Sequence, residues 1–394
     1  MLNYKQAQQV ITSLARRFGT ELVALDEADG RVLAKTITAD RDYPPFNRAT
    51  MDGYALKNED WDKGTKQFTI QQVIYAGQTA DGELQSGFCY KIMTGAPVPS
   101  SANVVIRRED AVVDGNTISF SLESIKPFQN IAKQGEDIKH GDEVLKAHTF
   151  CTPAVISLLA TLGIVQVPVL SLPKVALVTT GDEVVAIEAT IKPNQIRDSN
   201  QYLLKSVLKK WLIKPAVCKH IIDDKQQLES ELSEVLNFDI IISCGGVSAG
   251  DADYLPEVLE GLGVKKLFHK LSIRPGKPIW CGQLPNGGLV FALPGNPFSS
   301  MVTFKVLVES YLSVCFGLGM PKVLRLPFTG SRKRVSGFDE FFPSKITGQP
   351  STLQAIPINT SGDIRLGQNA DALAFHPVDK DSLMDGDMVE CLLF

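Results

Sequence analysis

The stretch Asp239-Ile-Ile-Ile-Ser-Cys-Gly-Gly-Val-Ser-Ala-Gly-Asp-Ala-Asp-Tyr254 decides the fold. It opens on a wholly apolar run, Ile240–Ile242, which suits a short strand buried on both faces. It then breaks into Ser243, Gly245, Gly246, Ser248 and Gly250, enough glycine for the backbone to come close to a ligand. Asp251 and Asp253 follow, and Tyr254–Leu262, stopped by Gly263, reads as a helix. Such an order makes an anion or nucleotide site, because unpaired N–H groups and the helix dipole face the ligand. Two acids beside a bare anion would repel it, so they argue for a metal ion between protein and phosphate. GGVSAG matches neither the GxxxxGK of a Walker loop nor GxGxxG.

Around this stretch strands alternate with helices. Val175–Val178 is a predicted strand ending at Thr179-Thr-Gly-Asp-Glu183, and Asp198-Ser-Asn200 caps a helix running to about Leu212. Val217–Ile222 is a strand ending at Asp223-Asp224, and Lys225–Leu236 is a helix. Leu267–Ile273 leads into Arg274-Pro-Gly-Lys-Pro278; Gly288–Leu293 ends at Pro294-Gly-Asn-Pro297, before a helix from Phe298 to about Leu312. The alternation predicts a doubly wound, mostly parallel sheet, in which ligands bind outside the carboxyl ends of the strands. The clusters Thr180–Glu183, Asp223-Asp224, Ser243–Asp253 and Pro294–Pro297 each follow a strand, which places them on one edge.

Lys270, Arg274 and Lys277 lie in one short segment, and alternation would put Lys270, Ser272 and Arg274 on one strand face. They read either as counter-charges for an oxyanion or as a solvated basic edge. The runs Arg332-Lys333-Arg334 and Lys209-Lys210 read as solvated surface. No serine sits in a GxSxG elbow, and Cys244 reads as a buried, inert thiol. Glu183, Asp223 and Asp253, with cations opposite, fit Mg²⁺-assisted chemistry at a phosphate, since hard oxygen ligands suit a hard cation.

The remainder bounds the class. The chain has 394 residues, 44% hydrophobic and 21% charged with net charge −4, so two to four domains are expected and a nucleic-acid binder is not. The 7 cysteines are scattered without a CxxC, as in a reducing, cytoplasmic compartment, and the 5 histidines show no zinc spacing. Met1–Phe18 reads as an amphipathic helix with Val10, Leu14 and Phe18 on one face, not as a signal peptide. Val155–Leu172, broken by Gly163 and Pro168, reads as helix then strand and not as a membrane span. Short strands between Phe68 and Phe120 suggest a small β-rich domain carrying two loops, Met51-Asp-Gly-Tyr-Ala55 and Thr94-Gly-Ala-Pro-Val-Pro99. On their own these loops read as turns. Val323–Phe328, Phe338–Ile346, Leu353–Ile358 and Met388–Leu393 read as strands of a terminal all-β domain.

The ordered set PPFNRATMDGYA, TGAPVPSSANVVIRRED, GEDI, VALVTTGDEV, RDSN, DIIISCGGVSAGDADY, HKLSIRPGKP and LPGNPFSS resembles the bacterial MoeA family of molybdopterin molybdenumtransferases, similar to the gephyrin E domain. The likeness runs to about Phe316. It implies a multidomain α/β plus β chain: an α/β molybdopterin-binding domain (1–21 and 172–320), a connecting α+β dimerisation domain (22–39 and 141–171), a β-rich inserted domain (40–140) and a C-terminal β domain (321–394). It also implies Mg²⁺-dependent insertion of molybdate into adenylylated molybdopterin with release of AMP, in a homodimer with a shared active site. The molybdopterin adenylyltransferase is an implied partner; nucleic acid and membrane are not.

By matching motif, the resemblance assigns catalysis to Asp52, Thr94 and Asp137 of the inserted domain and to Glu183, Asp223, Asp253, Lys270 and Arg274. Glu183 and Asp253 would hold Mg²⁺. Thr180, Gly181, Asp182, Ser199, Gly245, Gly246, Ser248, Lys277, Pro294, Asn296 and Pro297 would bind the pterin nucleotide. Arg274 stands where the family often has lysine, which exchanges a point charge for a planar fork, and Cys244 replaces a usual serine. The terminal domain, including Ser361-Gly-Asp-Ile-Arg365, matches weakly and is assigned no site residue. A non-catalytic pterin-binding scaffold and a pterin adenylyltransferase are the competing readings.

Overall fold

Ile240–Cys244 lies at the centre of a six-stranded sheet with every residue buried. The computed structural model describes residues 1–247, 253–365 and 367–394; Ser248, Gly250 and Asp251 lie outside the described residues. The sheet strands are β1 (Val175–Thr180), β2 (Val217–Ile221), β3 (Ile240–Cys244), β4 (Lys265–His269), β5 (Trp280–Gln283) and β6 (Leu289–Leu293), in the spatial order β2-β1-β3-β6-β5-β4. β2, β1, β3 and β6 run parallel, and β5 runs antiparallel to both its neighbours. Because β2 lies on one side of β1 and β3 on the other, the chain reverses direction across the sheet between β1 and β3, which makes this the switch point.

Side chains alternate between two cores. Leu177, Ile240, Ile242 and Phe291 face one, packed by Leu204 and Leu208 of α2 (Asn200–Lys209) and by the long helix α5 (Pro297–Cys315). Val178, Ile241 and Val290 face the other, covered by Leu228 and Leu232 of α3 (Lys225–Ser233) and Val258 and Leu259 of α4 (Leu255–Gly261). Helices on both faces explain why these strands read as continuous apolar runs. Among the described residues α5 is long and apolar enough to cross a membrane, but most of it is packed inside this core.

The N-terminal helix α1 is shorter than the periodicity suggests. It spans Tyr4–Thr12, capped by Asn3 and Gln6, and buries Ala7 and Ile11. Thr12 Oγ1 donates to the Gln8 carbonyl at 2.7 Å and Ser13 Oγ to that of Val10 at 2.8 Å, local bonds that compete with further helix. Phe18 then packs edge-on against Phe316, 6.2 Å between ring centres.

The terminal strands close into a barrel. Asp339–Thr347, Thr352–Ala355, Leu324–Thr329, Met388–Leu393 and Ala372–His376 pair in sequence, and the last returns to the first. Ala372–His376 joins the four strands expected from the sequence. Ile273–Arg274 adds in parallel to Asp339–Glu340, tying the loop after β4 to the barrel.

The chain divides into two compact units: Met1–Ala34, His148–Leu159 and Ile164–Phe394 form one, Lys35–Ala147 and Ala160–Gly163 the other. The second unit holds its own six-stranded sheet, ordered Val104–Arg107, Gly53–Leu56, Phe88–Ile92, Gln67–Ile74, Thr117–Phe120, Ala111–Asp114. Gly53 is obligatory there, because a Cβ would lie 1.9 Å from the Ile106 carbonyl oxygen.

Truncating the central strand tests this core. Ile242→Ala is expected to lower unfolding free energy by about 3 kcal/mol, read from urea denaturation of the larger unit.

Candidate active site

A cleft of about 1700 Å³ opens at the carboxyl edge of β1, β3 and β6 and is walled on its far side by the terminal barrel. Four segments that follow strands reach it: Thr180, Gly181 and Glu183; Asp223; Cys244–Val247 with Asp253; and Pro294–Pro297. Ser199, Arg274 and Lys277 also line it. Asp182 supports it from behind, its Oδ1 accepting the Asp223 N–H at 3.0 Å. Ser248 lies outside the described residues.

The floor is set by a close approach at the switch point. Gly245 (φ +101°) and Gly246 (φ +64°) carry the chain past Thr180, and a Cβ on Gly245 would lie 2.7 Å from both the Thr180 carbonyl oxygen and its Oγ1. Thr180 is 5% exposed, and its hydroxyl finds no hydrogen-bond partner among the described residues. Beside it, Thr179 Oγ1 donates to Asp198 Oδ2 at 2.6 Å, and Asp198 Oδ1 accepts the Gln201 N–H at 2.9 Å. Asp198 thus caps α2, and it also lines the cleft.

The acidic side is under electrostatic strain. Burial pushes the Asp223 carboxyl above the usual range, and the charges of Asp182, Glu183 and Asp253 push it further in the same direction. Its neighbour Asp224 does different work, accepting the Gln227 N–H at 2.8 Å as the cap of α3. Cys244 is chemically quiet: burial drives its thiol up to about 12, and Sγ donates to the Pro294 carbonyl at 3.2 Å.

The basic side differs from the expectation of one face carrying Lys270, Ser272 and Arg274. β4 ends at His269, Lys270 takes φ +66°, and Ile273–Arg274 forms a separate pairing. The left-handed residue breaks the alternation, so Lys270 is absent from the cleft lining while Arg274 and Lys277 remain on it. Reading Arg332-Lys333-Arg334 as solvated surface holds for Lys333, which is exposed, but fails for the two arginines. Arg332 pairs with the buried Glu340 at 2.7 Å with its side chain 20% exposed, and Arg334 pairs with Asp381 at 2.9 Å.

The barrel, which drew no site assignment from sequence, lines the cleft with Arg332, Lys333, Ser336, Phe338 and Ser361 among others. Ser361 Oγ accepts from the Asn296 side-chain amide at 2.9 Å, tying a barrel loop to the start of α5. In the sequence, only the density of basic residues in Arg332-Lys333-Arg334 beside strand signals hints at this wall.

In the smaller unit, Asp52 and Thr94 meet. Asp52 Oδ1 accepts from both the backbone N–H and the hydroxyl of Thr94, each at 2.7 Å, and these bonds hold its carboxyl below the usual range. Asp137 is exposed and donates its N–H to the Tyr43 carbonyl at 3.0 Å.

Fold and cleft define a doubly wound α/β protein of the ligand-binding class, with its pocket at the switch point. Residues 2–163 match the MoeA N-terminal region (domain I and II), and residues 176–313 match a probable molybdopterin binding domain. A molybdopterin molybdenumtransferase from Synechococcus elongatus is 31% identical, covering 99% of both chains, and one from Staphylococcus epidermidis is 30% identical over 94% of this chain and 90% of its own. The crystal structure of the molybdopterin biosynthesis moeA protein from Pyrococcus horikoshii superposes with a TM-score of 0.87 at 28% identity, covering 100% of both chains. The chain belongs to the molybdopterin molybdenumtransferase family, transferases of molybdenum cofactor biosynthesis.

The strain at Asp223 has a measurable sign. Its folded carboxyl is harder to ionise than in the unfolded chain, so the penalty is absent below the ordinary Asp range and grows as pH rises through the raised folded value. Asp223→Asn is therefore expected to raise the melting temperature at neutral pH, with the gain shrinking toward about pH 4. A pH series of thermal melts checks this.

Proposed function

We propose that this chain inserts molybdate into adenylylated molybdopterin, in a Mg²⁺-dependent reaction that releases AMP. The observation that carries this reading is the crowding of Asp182, Glu183 and Asp253 around the half-buried Asp223 in a cleft that Arg274 and Lys277 also line. Charge of that kind fits a divalent cation. Glu183 and Asp253 would hold it. Among the described residues no three His, Cys, Asp or Glu side chains form a complete metal cluster, so substrate phosphate oxygens and water would fill the remaining positions. The ion would lower the repulsion between the phosphoanhydride and the carboxylates.

The chain's own residues supply the rest. Gly245 and Gly246 would bring backbone close to the ligand, on a floor packed tightly against the buried Thr180 side chain. Arg274 and Lys277 would neutralise molybdate or phosphate, so that two anions are held together against their repulsion. Cys244 is the one cysteine among the described cleft residues, and its suppressed ionisation leaves it a poor ligand for molybdenum. The dithiolene sulfurs of the pterin, soft ligands for a transition metal, meet that need instead.

The proposal includes a homodimer in which Asp52, Thr94 and Asp137 of one copy complete the cleft of the other, and a substrate handed over by an adenylyltransferase. Purified protein mixed with adenylylated molybdopterin, Mg²⁺ and molybdate is expected to release AMP and yield active cofactor. Asp253→Ala is expected to keep dimerisation and pterin binding but lose Mg²⁺-dependent AMP release; undiminished release would remove the metal role. Mixing the inactive variants Asp52→Ala and Asp253→Ala is expected to restore turnover, because a hybrid dimer would contain one intact site. Failure of exchanged hybrids to recover activity would show that the site is not shared.

A further inference from the structure

The barrel wall of the cleft contains a polar network that the assignments above do not use. Arg332 Nη1 donates to His376 Nδ1 at 2.7 Å and Nη2 to Glu340 Oε2 at 2.7 Å, while the guanidinium carbon sits 4.3 Å above the Phe342 ring. His376 is 0% and Glu340 1% exposed. His376 Nε2 is 2.8 Å from the Lys380 carbonyl oxygen, which only accepts, so Nε2 carries the proton and Nδ1 is the lone pair that receives Arg332. The second Glu340 oxygen accepts the Val335 N–H at 2.9 Å and the Ser336 hydroxyl at 2.8 Å.

His376 and Glu340 are both fully hydrogen-bonded, and the consequence is a guanidinium with one orientation. Burial raises the Glu340 carboxyl, but bonds from Ser336, Arg332 and Val335 outweigh it and keep the group ionised. Burial, helped by the Arg332 charge, holds His376 neutral. A buried carboxylate and imidazole are a costly way to anchor a surface strand, since apolar residues of similar volume would serve as well. They make sense as fixings for a cation that must not move. Arg332 lines the cleft and has N–H donors beyond the two that these partners take.

We propose that Arg332 binds an anionic phosphate oxygen of the cleft's ligand, and that His376 and Glu340 are positioning residues that hold its guanidinium toward it. This deepens the reading of the cleft as a phosphate-ester site and rests on it. His376 acts only through Arg332, so a side chain that preserves the acceptor at the Nδ1 position preserves the function. Asparagine does this and leucine does not.

The test uses the full chain and inorganic pyrophosphate as the probe, titrated by calorimetry in the presence of Mg²⁺, with thermal melts run in parallel. Arg332→Gln is expected to weaken pyrophosphate binding by about tenfold or more, the loss of one charge-assisted contact. His376→Leu is expected to weaken it several-fold, and His376→Asn to stay within about twofold of wild type even if both His376 variants melt at the same lowered temperature. Folded Arg332→Gln protein that binds pyrophosphate as tightly as wild type overturns the proposal. So does equal weakening in His376→Asn and His376→Leu, which marks a merely structural histidine. If His376→Leu does not fold, Arg332→Gln and His376→Asn decide alone. Wild type that binds pyrophosphate in this pattern but releases no AMP from adenylylated molybdopterin would overturn the reaction proposed above and leave Arg332 as an anion site.

Discussion

A strand that must bury both faces governs this molecule. Ile240–Cys244 packs Ile240 and Ile242 into one core and Ile241 into the other. Each such side chain contributes roughly 1.5–3 kcal/mol on burial. Helices on both faces leave only the ends of the strands open to solvent. Polar and glycine-rich segments after β1, β2, β3 and β6 therefore have one place to go, the carboxyl edge. The cleft is a by-product of covering the sheet.

Two close approaches turn that edge into a shaped site. Gly245 passes Thr180 with no room for a Cβ, which keeps the ends of β1 and β3 together across the switch point. Ile273–Arg274 pairs with Asp339–Glu340 and so brings the barrel against the same edge. One wall is then acidic, with Asp223 crowded by three carboxylates, and the opposite wall carries Arg274, Lys277 and Arg332. Charge of both signs in one cleft suits a ligand that is itself a chain of anions bridged by a cation.

What is legible in the sequence follows from short-range rules. Apolar runs of strand length, glycines after them and caps such as Asp224 depend on local chemistry, and they place Glu183, Asp223 and Pro294 just after strands, on the cleft that Asp253 also lines. The failures share a cause as well. Period-two counting puts Lys270 on a strand face, and a single left-handed residue defeats it. Arg332 looked like solvated charge because its partners, Glu340 and His376, are 8 and 44 positions away in sequence.

By itself, then, the sequence determined the layered α/β core, the edge on which its chemistry gathers and the family to which the chain belongs, because hydrophobic period and turn chemistry are local properties. Only the tertiary structure decided which cations face that edge, that the terminal barrel forms the second wall, and that one arginine there is locked between a buried carboxylate and a buried imidazole. Those outcomes depend on pairings between distant segments, and burial can reverse the meaning of a charged residue without changing its neighbours in the chain.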